Sequence, residues 1–206
     1  LRIGLVMRSL PGIPVDEDTR KAVENTARIL ADLGHSVREI GLPLPEKELL
    51  AFQDDFQHYW SLLGFAVQNF GKWTLDPSFD RSQTDALTRG LSKRFIRNFW
   101  KTPQTIRRLR RSEANYHRAF ADLDIMVSPV LAHTTPRLGH LSPANGFDVL
   151  FPRLLAYVAF TPLNNASGGP AISMPLGCTA DGLPIGIQLS ADHGNETALL
   201  EVAFEL

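Results

Sequence analysis

Cysteine is almost absent: Cys178 is the single one in 206 residues. No internal disulfide can form, and no cysteine and histidine cluster has zinc-ligand spacing, which fits a reducing compartment and makes the cytoplasm the expected location. Long apolar runs are missing as well. No stretch approaches the roughly 18 residues of a membrane span, and no basic segment leads into a short apolar core as in an export signal. Glycine-rich phosphate loops are lacking: "GLVMRSLPG" contains neither GxGxxG nor GxxxxGK, so a nucleotide-binding Rossmann domain is disfavoured. The six histidines are scattered without helical i, i+4 pairing or a flanking carboxylate, and no metal is expected. His133, beside Thr134 and Thr135 in a loop after a core strand, is the one placed where a ligand could reach it. The chain opens at Leu1 without methionine and stops at "TALLEVAFEL" inside a helical pattern, so both ends are expected to be cuts through a longer polypeptide.

What is present is a chain 44% hydrophobic, long enough for one domain with a sizeable core. Net charge is near zero but unevenly spread. Eleven of the 21 Lys and Arg lie between Arg81 and Arg118, against only Asp85 and Glu113. A nucleic-acid patch is the sharp reading of that cluster. A solvated helix facing acidic neighbours is the expected one, because the rest of the chain is net negative.

The pattern along the chain is that of an α/β protein. "RIGLVM" reads as a buried strand. Asp16, Glu17 and Asp18 then begin a helix with an apolar stripe at Val23, Ala27, Leu30 and Leu33, ended by Gly34, and "HSVREIGL" is a second strand. Residues 1–43 are thus a βαβ unit with parallel pairing. Residues 44–122 are mainly helical, broken near Pro77. Trp60, Trp73 and Trp100, with Phe52, Phe56, Phe65 and Phe70, read there as core rather than as a ligand channel. Thr102 and Pro103 look like the N-cap and first position of a further helix. Residues 123–206 hold a core strand at Ile125 to Val130, a loop from Ala132 to Phe147, and a short helix from Leu150 to Phe160. The strands "AISMPLGC" and "PIGIQLSA" follow, joined at Asp181-Gly182, and a last helix is capped by Asn195. The hairpin makes the expected sheet mixed, flanked by helices.

Ser167 in "NNASGGPAISMPLG" resembles a nucleophile on a glycine-rich turn. A nucleophile elbow, however, places Gly-x-Ser-x-Gly between strand and helix with a base in reach, whereas Ser167 leads into Pro170 and a strand. A backbone role is expected.

"ADLDIMVSPV", "FTPLNNASGGPAISMPLG", "DGLPIGIQLSA" and "NETALLEVAFE" occur in the order and spacing of the C-terminal half of the amidase signature family. "LRIGLV" and "ARILADLGHSV" resemble the segment after that family's signature region. The resemblance covers about two thirds of the chain and fades between Leu44 and Trp100. It implies the C-terminal part of a single amidase domain, acting on linear amides through a serine nucleophile, a second serine bound by a cis peptide, and a lysine base, without metal or cofactor. Neither the Gly-Gly-Ser-Ser-Gly-Gly-Ser loop nor its lysine is present, so the resemblance assigns no catalytic residue here and implies that this piece alone is inactive. Its implied substrate-facing residues are Pro129, Val130, Tyr157, Phe160 and Asn164. Ser128-Pro129-Val130 stands where the family carries Thr-Pro-Thr, which costs one hydroxyl. Arg108 or Arg110 lies near the arginine of members acting on glutaminyl groups. The acidic residue of those members falls at Tyr157, so a neutral or aromatic amide is implied. The expected partners are a small-molecule amide, the upstream part of the same polypeptide and a second copy in a homodimer, with neither nucleic acid nor membrane. The alternative is a non-catalytic binding or assembly module that keeps the fold.

Overall fold

The computed structural model describes residues 1–10 and 12–206; Pro11, within the break expected after the first strand, lies outside the described residues, as do the side chains of Glu46 and Lys47. The strands are β1 (Arg2–Val6), β2 (Ser36–Ile40), β3 (Ile125–Pro129), β4 (Ala171–Cys178) and β5 (Pro184–Ser190). The helices are α1 (Glu17–Asp32), α2 (Glu46–Thr74), α3 (Ala86–Ile96), α4 (Thr102–Ala119), α5 (Phe147–Tyr157), α6 (Pro162–Ser167) and α7 (Glu196–Glu205). The five strands form one sheet in the order β2-β1-β3-β5-β4. β1 pairs in parallel with β2 and with β3, while β5 runs antiparallel to both β3 and β4. The sheet is therefore mixed, as the hairpin at Asp181-Gly182 requires.

Contacts group the chain into two units: Leu1–Leu49, Arg110–Thr135 and Ala156–Leu206 make the first, and Leu50–Leu109 with Pro136–Leu155 the second. In the first unit, alternation along each strand assigns a face to each residue. Ile3, Ile125, Val127, Ile185, Ile187 and Leu189 form one core with Ala22, Val23 and Leu30 of α1 and Leu199 and Val202 of α7. The opposite side of β3 and β5 carries Met126, Ser128, Gln188 and Ser190, and there Tyr116 of α4 reaches the Ala191 carbonyl. Asp124 ties the start of β3 to β1. It accepts the Arg2 amide at 2.7 Å and the Arg2 guanidinium at 2.7 Å.

The second unit is helical. Its packing centre is aromatic: Phe65 meets Phe95 at 4.8 Å and Trp60 meets Phe151 at 5.7 Å. Asp55, 2% exposed, accepts a forked pair from Arg108 and a hydrogen bond from the Thr105 hydroxyl. The packing expected of every aromatic here fails for Phe70, Trp73 and Trp100, which are 46%, 78% and 63% exposed. Phe70 and Trp73 lie toward the end of α2 and Trp100 in the linker between α3 and α4.

Two expected caps are also corrected. Thr102 lies inside a continuous turn that begins at Phe99, and its hydroxyl donates to the Phe99 carbonyl instead of accepting an amide. Asn195 occupies the N-cap of α7 without a side-chain cap bond, its backbone at φ −101°, ψ 31° rather than extended. The helix expected from Leu150 to Phe160 starts and ends three residues earlier, at Phe147–Tyr157. Among the described residues no helix is long and apolar enough to cross a membrane.

Candidate functional site at the carboxyl edge of β1 and β3

Ligands of open α/β sheets bind beyond the carboxyl ends of parallel strands, where loops diverge from a rigid frame. β1 and β3 are such neighbours, and the loops that leave them are sewn together. The Asp16 amide donates to the Ala132 carbonyl at 3.0 Å, and the Thr134 amide to the Asp16 carboxylate at 2.6 Å. Asp16 also caps α1 through the Thr19 amide at 2.7 Å. Burial works against its charge, yet the hydrogen bonds from Thr19 and Thr134 outweigh that and hold the carboxyl below its ordinary value. The Leu10 amide donates to the Ala159 carbonyl and the Ala132 amide to the Tyr157 carbonyl, so the chain after α5 joins the same edge.

Four of the five residues singled out from the resemblance lie on the segments that these backbone bonds bring to this edge. Pro129 ends β3 and is buried; Val130 follows, half-buried, its amide donating to the Gly186 carbonyl at 3.1 Å. Phe160 is 5% exposed and packs with Ala132 and Ala159 against Val15. Tyr157, half-buried, faces the His133 ring at 4.9 Å. His133 Nδ1 lies 3.0 Å from the Thr134 carbonyl. A carbonyl only accepts, so Nδ1 carries a proton, and in the neutral ring Nε2 is then an acceptor. Among the described residues neither His133 Nε2 nor the Tyr157 hydroxyl has a partner. The retained hydroxyl of Ser128 does not face this edge as a free group; it donates to the Pro129 carbonyl at 3.0 Å.

Asn164 stands apart from these four and is occupied by the fold. Its Nδ2 lies 3.1 Å from the Tyr116 hydroxyl, 3.2 Å from the Ser190 hydroxyl and 3.3 Å from the Gly169 carbonyl, while its Oδ1 accepts from Gln188 at 3.0 Å. Tyr116 is fully buried and donates to the Ala191 carbonyl at 2.9 Å; burial pushes its phenol up to about 12. One carboxamide thereby links α6, α4 and β5.

Ser167 closes α6. Its hydroxyl is 3.5 Å from the Asn164 carbonyl and accepts the Gly169 amide at 3.3 Å. The side chain nearest its backbone is His193, whose Nε2 donates to the Ser167 carbonyl at 2.8 Å, not to the hydroxyl. No base reaches the Ser167 hydroxyl among the described residues, and the residue is 5% exposed. The two following glycines have separate reasons. Gly168 takes φ +77°, the left-handed turn that ends the helix, and a Cβ on Gly169 would stand 2.2 Å from the Tyr116 ring. The expected backbone role of Ser-Gly-Gly-Pro is what the structure displays.

The two site arginines considered from the sequence differ: Arg108 is committed to Asp55, whereas Arg110 is exposed on α4. Of the eleven cations from Arg81 to Arg118, Arg108 is the one in an ion pair among the described residues; the acidic neighbours expected beside the cluster are few, Asp54 and Asp55 near Arg94, Lys101 and Arg108, and Asp148 near Arg89, Lys93 and Arg97.

Comparison with known proteins places these observations. The Amidase family model matches residues 1–200. The putative amidase AmiC of Mycobacterium leprae (strain TN) is 41% identical over 207 residues, covering 100% of this chain and 43% of its own length. Among solved structures, 6-aminohexanoate cyclic dimer hydrolase complexed with substrate superposes with a TM-score of 0.79 at 26% identity, over 100% of this chain and 44% of that one. A bacterial aryl acylamidase of the amidase signature enzymes superposes with a TM-score of 0.70 at 20% identity, over 97% and 41% respectively, a likeness of fold. The chain therefore spans less than half the length of these relatives.

Proposed function

Because the chain belongs to the Amidase family, we propose that it forms the substrate-cleft wall and half the sheet of an amide hydrolase whose attacking serine and lysine base lie upstream of Leu1. The state of Ser167 supports this most directly. It is the one serine here in a glycine-rich turn, and its hydroxyl is bound into that turn with no base in reach among the described residues. A serine acyl-enzyme therefore needs groups from elsewhere in the polypeptide.

The substrate we propose is a neutral amide with an apolar or aromatic body, linear or cyclic. Val130 and Tyr157, both half-buried, supply apolar and aromatic surface at the carboxyl edge while Phe160 is buried, and the nearby Asp16 carboxylate is turned inward onto Thr19 and Thr134. His133 Nε2, an acceptor, suits the N–H of an amide, and the Tyr157 hydroxyl suits a carbonyl. The cyclic amide named for the solved relative is of the same neutral kind.

The test is hydrolysis of a simple aryl amide by the whole protein, by its Ser167→Ala variant and by residues 1–206 alone. The whole protein should turn over, Ser167→Ala should stay within about twofold of it, and the fragment should be inactive. Turnover by the fragment, or its loss in Ser167→Ala, would place the nucleophile inside this chain. A whole protein inert to every neutral amide would favour the non-catalytic module instead.

A further inference from the structure

The helical unit carries a concave surface that the amide chemistry leaves unused. α3 contains no acidic residue. Arg89 and Lys93 on it, with Arg97 at its C-cap, are spaced by four, share one face and span about 12 Å at 1.5 Å rise per residue. They border a groove of about 570 Å³ together with Arg94, Phe147 and Asp148.

One wall of the groove is fixed in place. Phe147 lies directly on α3 because position 90 is glycine; a Cβ there would stand 2.0 Å from the ring. Phe147 in turn stacks on Phe151 at 4.9 Å and 18°. Arg94 sits 5.6 Å from the Phe151 ring centre and donates to Gln57, so its charge is held rather than waving in solvent. The cations are unbalanced. Arg89 reaches only the Thr84 carbonyl, and among the described residues no carboxylate pairs with Arg89, Lys93 or Arg97. On α1, by contrast, Glu17 and Glu24 match Arg20 and Lys21.

We propose that this groove binds a small polyanion bearing two or more separated phosphate or carboxylate groups, gripped by Lys93 and Arg97 with Phe147 as its apolar wall. Cations four residues apart sit about 6 Å from one another along the helix, farther than the oxygens of one carboxylate, so a single monoanion neutralises one of them and leaves the rest. A guanidinium fork fits phosphate and carboxylate alike. Asp148 at one side repels like charge and directs the less charged end of the ligand toward itself.

Titration calorimetry of the whole protein at physiological salt tests this, with pyrophosphate and citrate as separate probes. At least one should bind with a Kd below about 1 mM, and Lys93→Ala with Arg97→Ala should weaken it by about tenfold or more, since two charge-assisted contacts are lost. Which probe binds tells the phosphate source from the carboxylate source. Arg110→Ala with Arg111→Ala removes the same charge from an exposed stretch of α4 and should change binding by less than about twofold. Equal weakening by both double variants would mean attraction by overall charge and would overturn the proposal. So would the absence of binding for both probes up to about 10 mM, the result if the rest of the polypeptide fills the groove.

Discussion

Asn164 joins three elements through one side chain, so its removal should act on stability and not on the reaction alone. Asn164→Ala leaves Gln188 and the Ser190 hydroxyl short of a partner inside the sheet face and should cost about 2–3 kcal/mol in urea unfolding. Tyr116→Phe strands the Ala191 carbonyl and should cost about 1–2 kcal/mol, with less than additive loss in the double variant because the two side chains share a bond. Ser167→Ala, which gives up only two long hydrogen bonds, should cost about 1 kcal/mol or less. In the helical unit Arg108→Ala should cost about 2–4 kcal/mol, since it leaves Asp55 buried with only Thr105. Arg110→Ala should cost almost nothing. That difference was not legible in the sequence: Arg107, Arg108, Arg110 and Arg111 look alike until Asp55, fifty-three positions away from Arg108, is placed against one of them.

Elements show the same division between local and distant causes. The βαβ unit, the hairpin and the turn before β4 were legible because apolar spacing, Asp-Gly and Gly-Gly-Pro act over a few residues. Thr102 and Asn195 misled because a cap needs an extended backbone before the helix, and the chain enters α4 and α7 otherwise. Two histidines give the elements opposite responses to pH. His193 on the turn after β5 is raised above 6.5 by its bond to the Ser167 carbonyl and by Asp192, so it stabilises below 6.5 and that contribution is lost as pH rises through the folded value. His58 on α2 is lowered from 6.5 by burial and by Lys101 and Arg94, so it stabilises above 6.5 and loses that contribution as pH falls. Amide exchange against pH should therefore show α6 loosening toward alkaline conditions and the middle of α2 loosening toward acid; the reverse assignment would contradict both placements.

At the scale of the whole molecule, the mixed sheet was readable from the sequence, but the position of β4 was not. Its apolar alternation resembles a core strand, yet it is one of the two edges of the five-stranded sheet, paired on one side by β5 and carrying Pro175 at a shift in register. An eight-residue edge is open to further pairing. Residues 1–206 expressed alone should accordingly self-associate in sedimentation, whereas a monodisperse, cooperatively unfolding monomer would contradict that. The proposed cleft wall was partly legible: Val130, Tyr157 and Phe160 were singled out through motif resemblance, while the Nε2 of His133, without a partner among the described residues, emerged only when Thr134 was placed against Nδ1. The most direct test of the account is to treat the whole protein with a serine-reactive fluorophosphonate and map the adduct by peptide mass spectrometry. Loss of amide hydrolysis with the label on a serine upstream of Leu1, and none within residues 1–206, is the expected result; a label on Ser167 would contradict it.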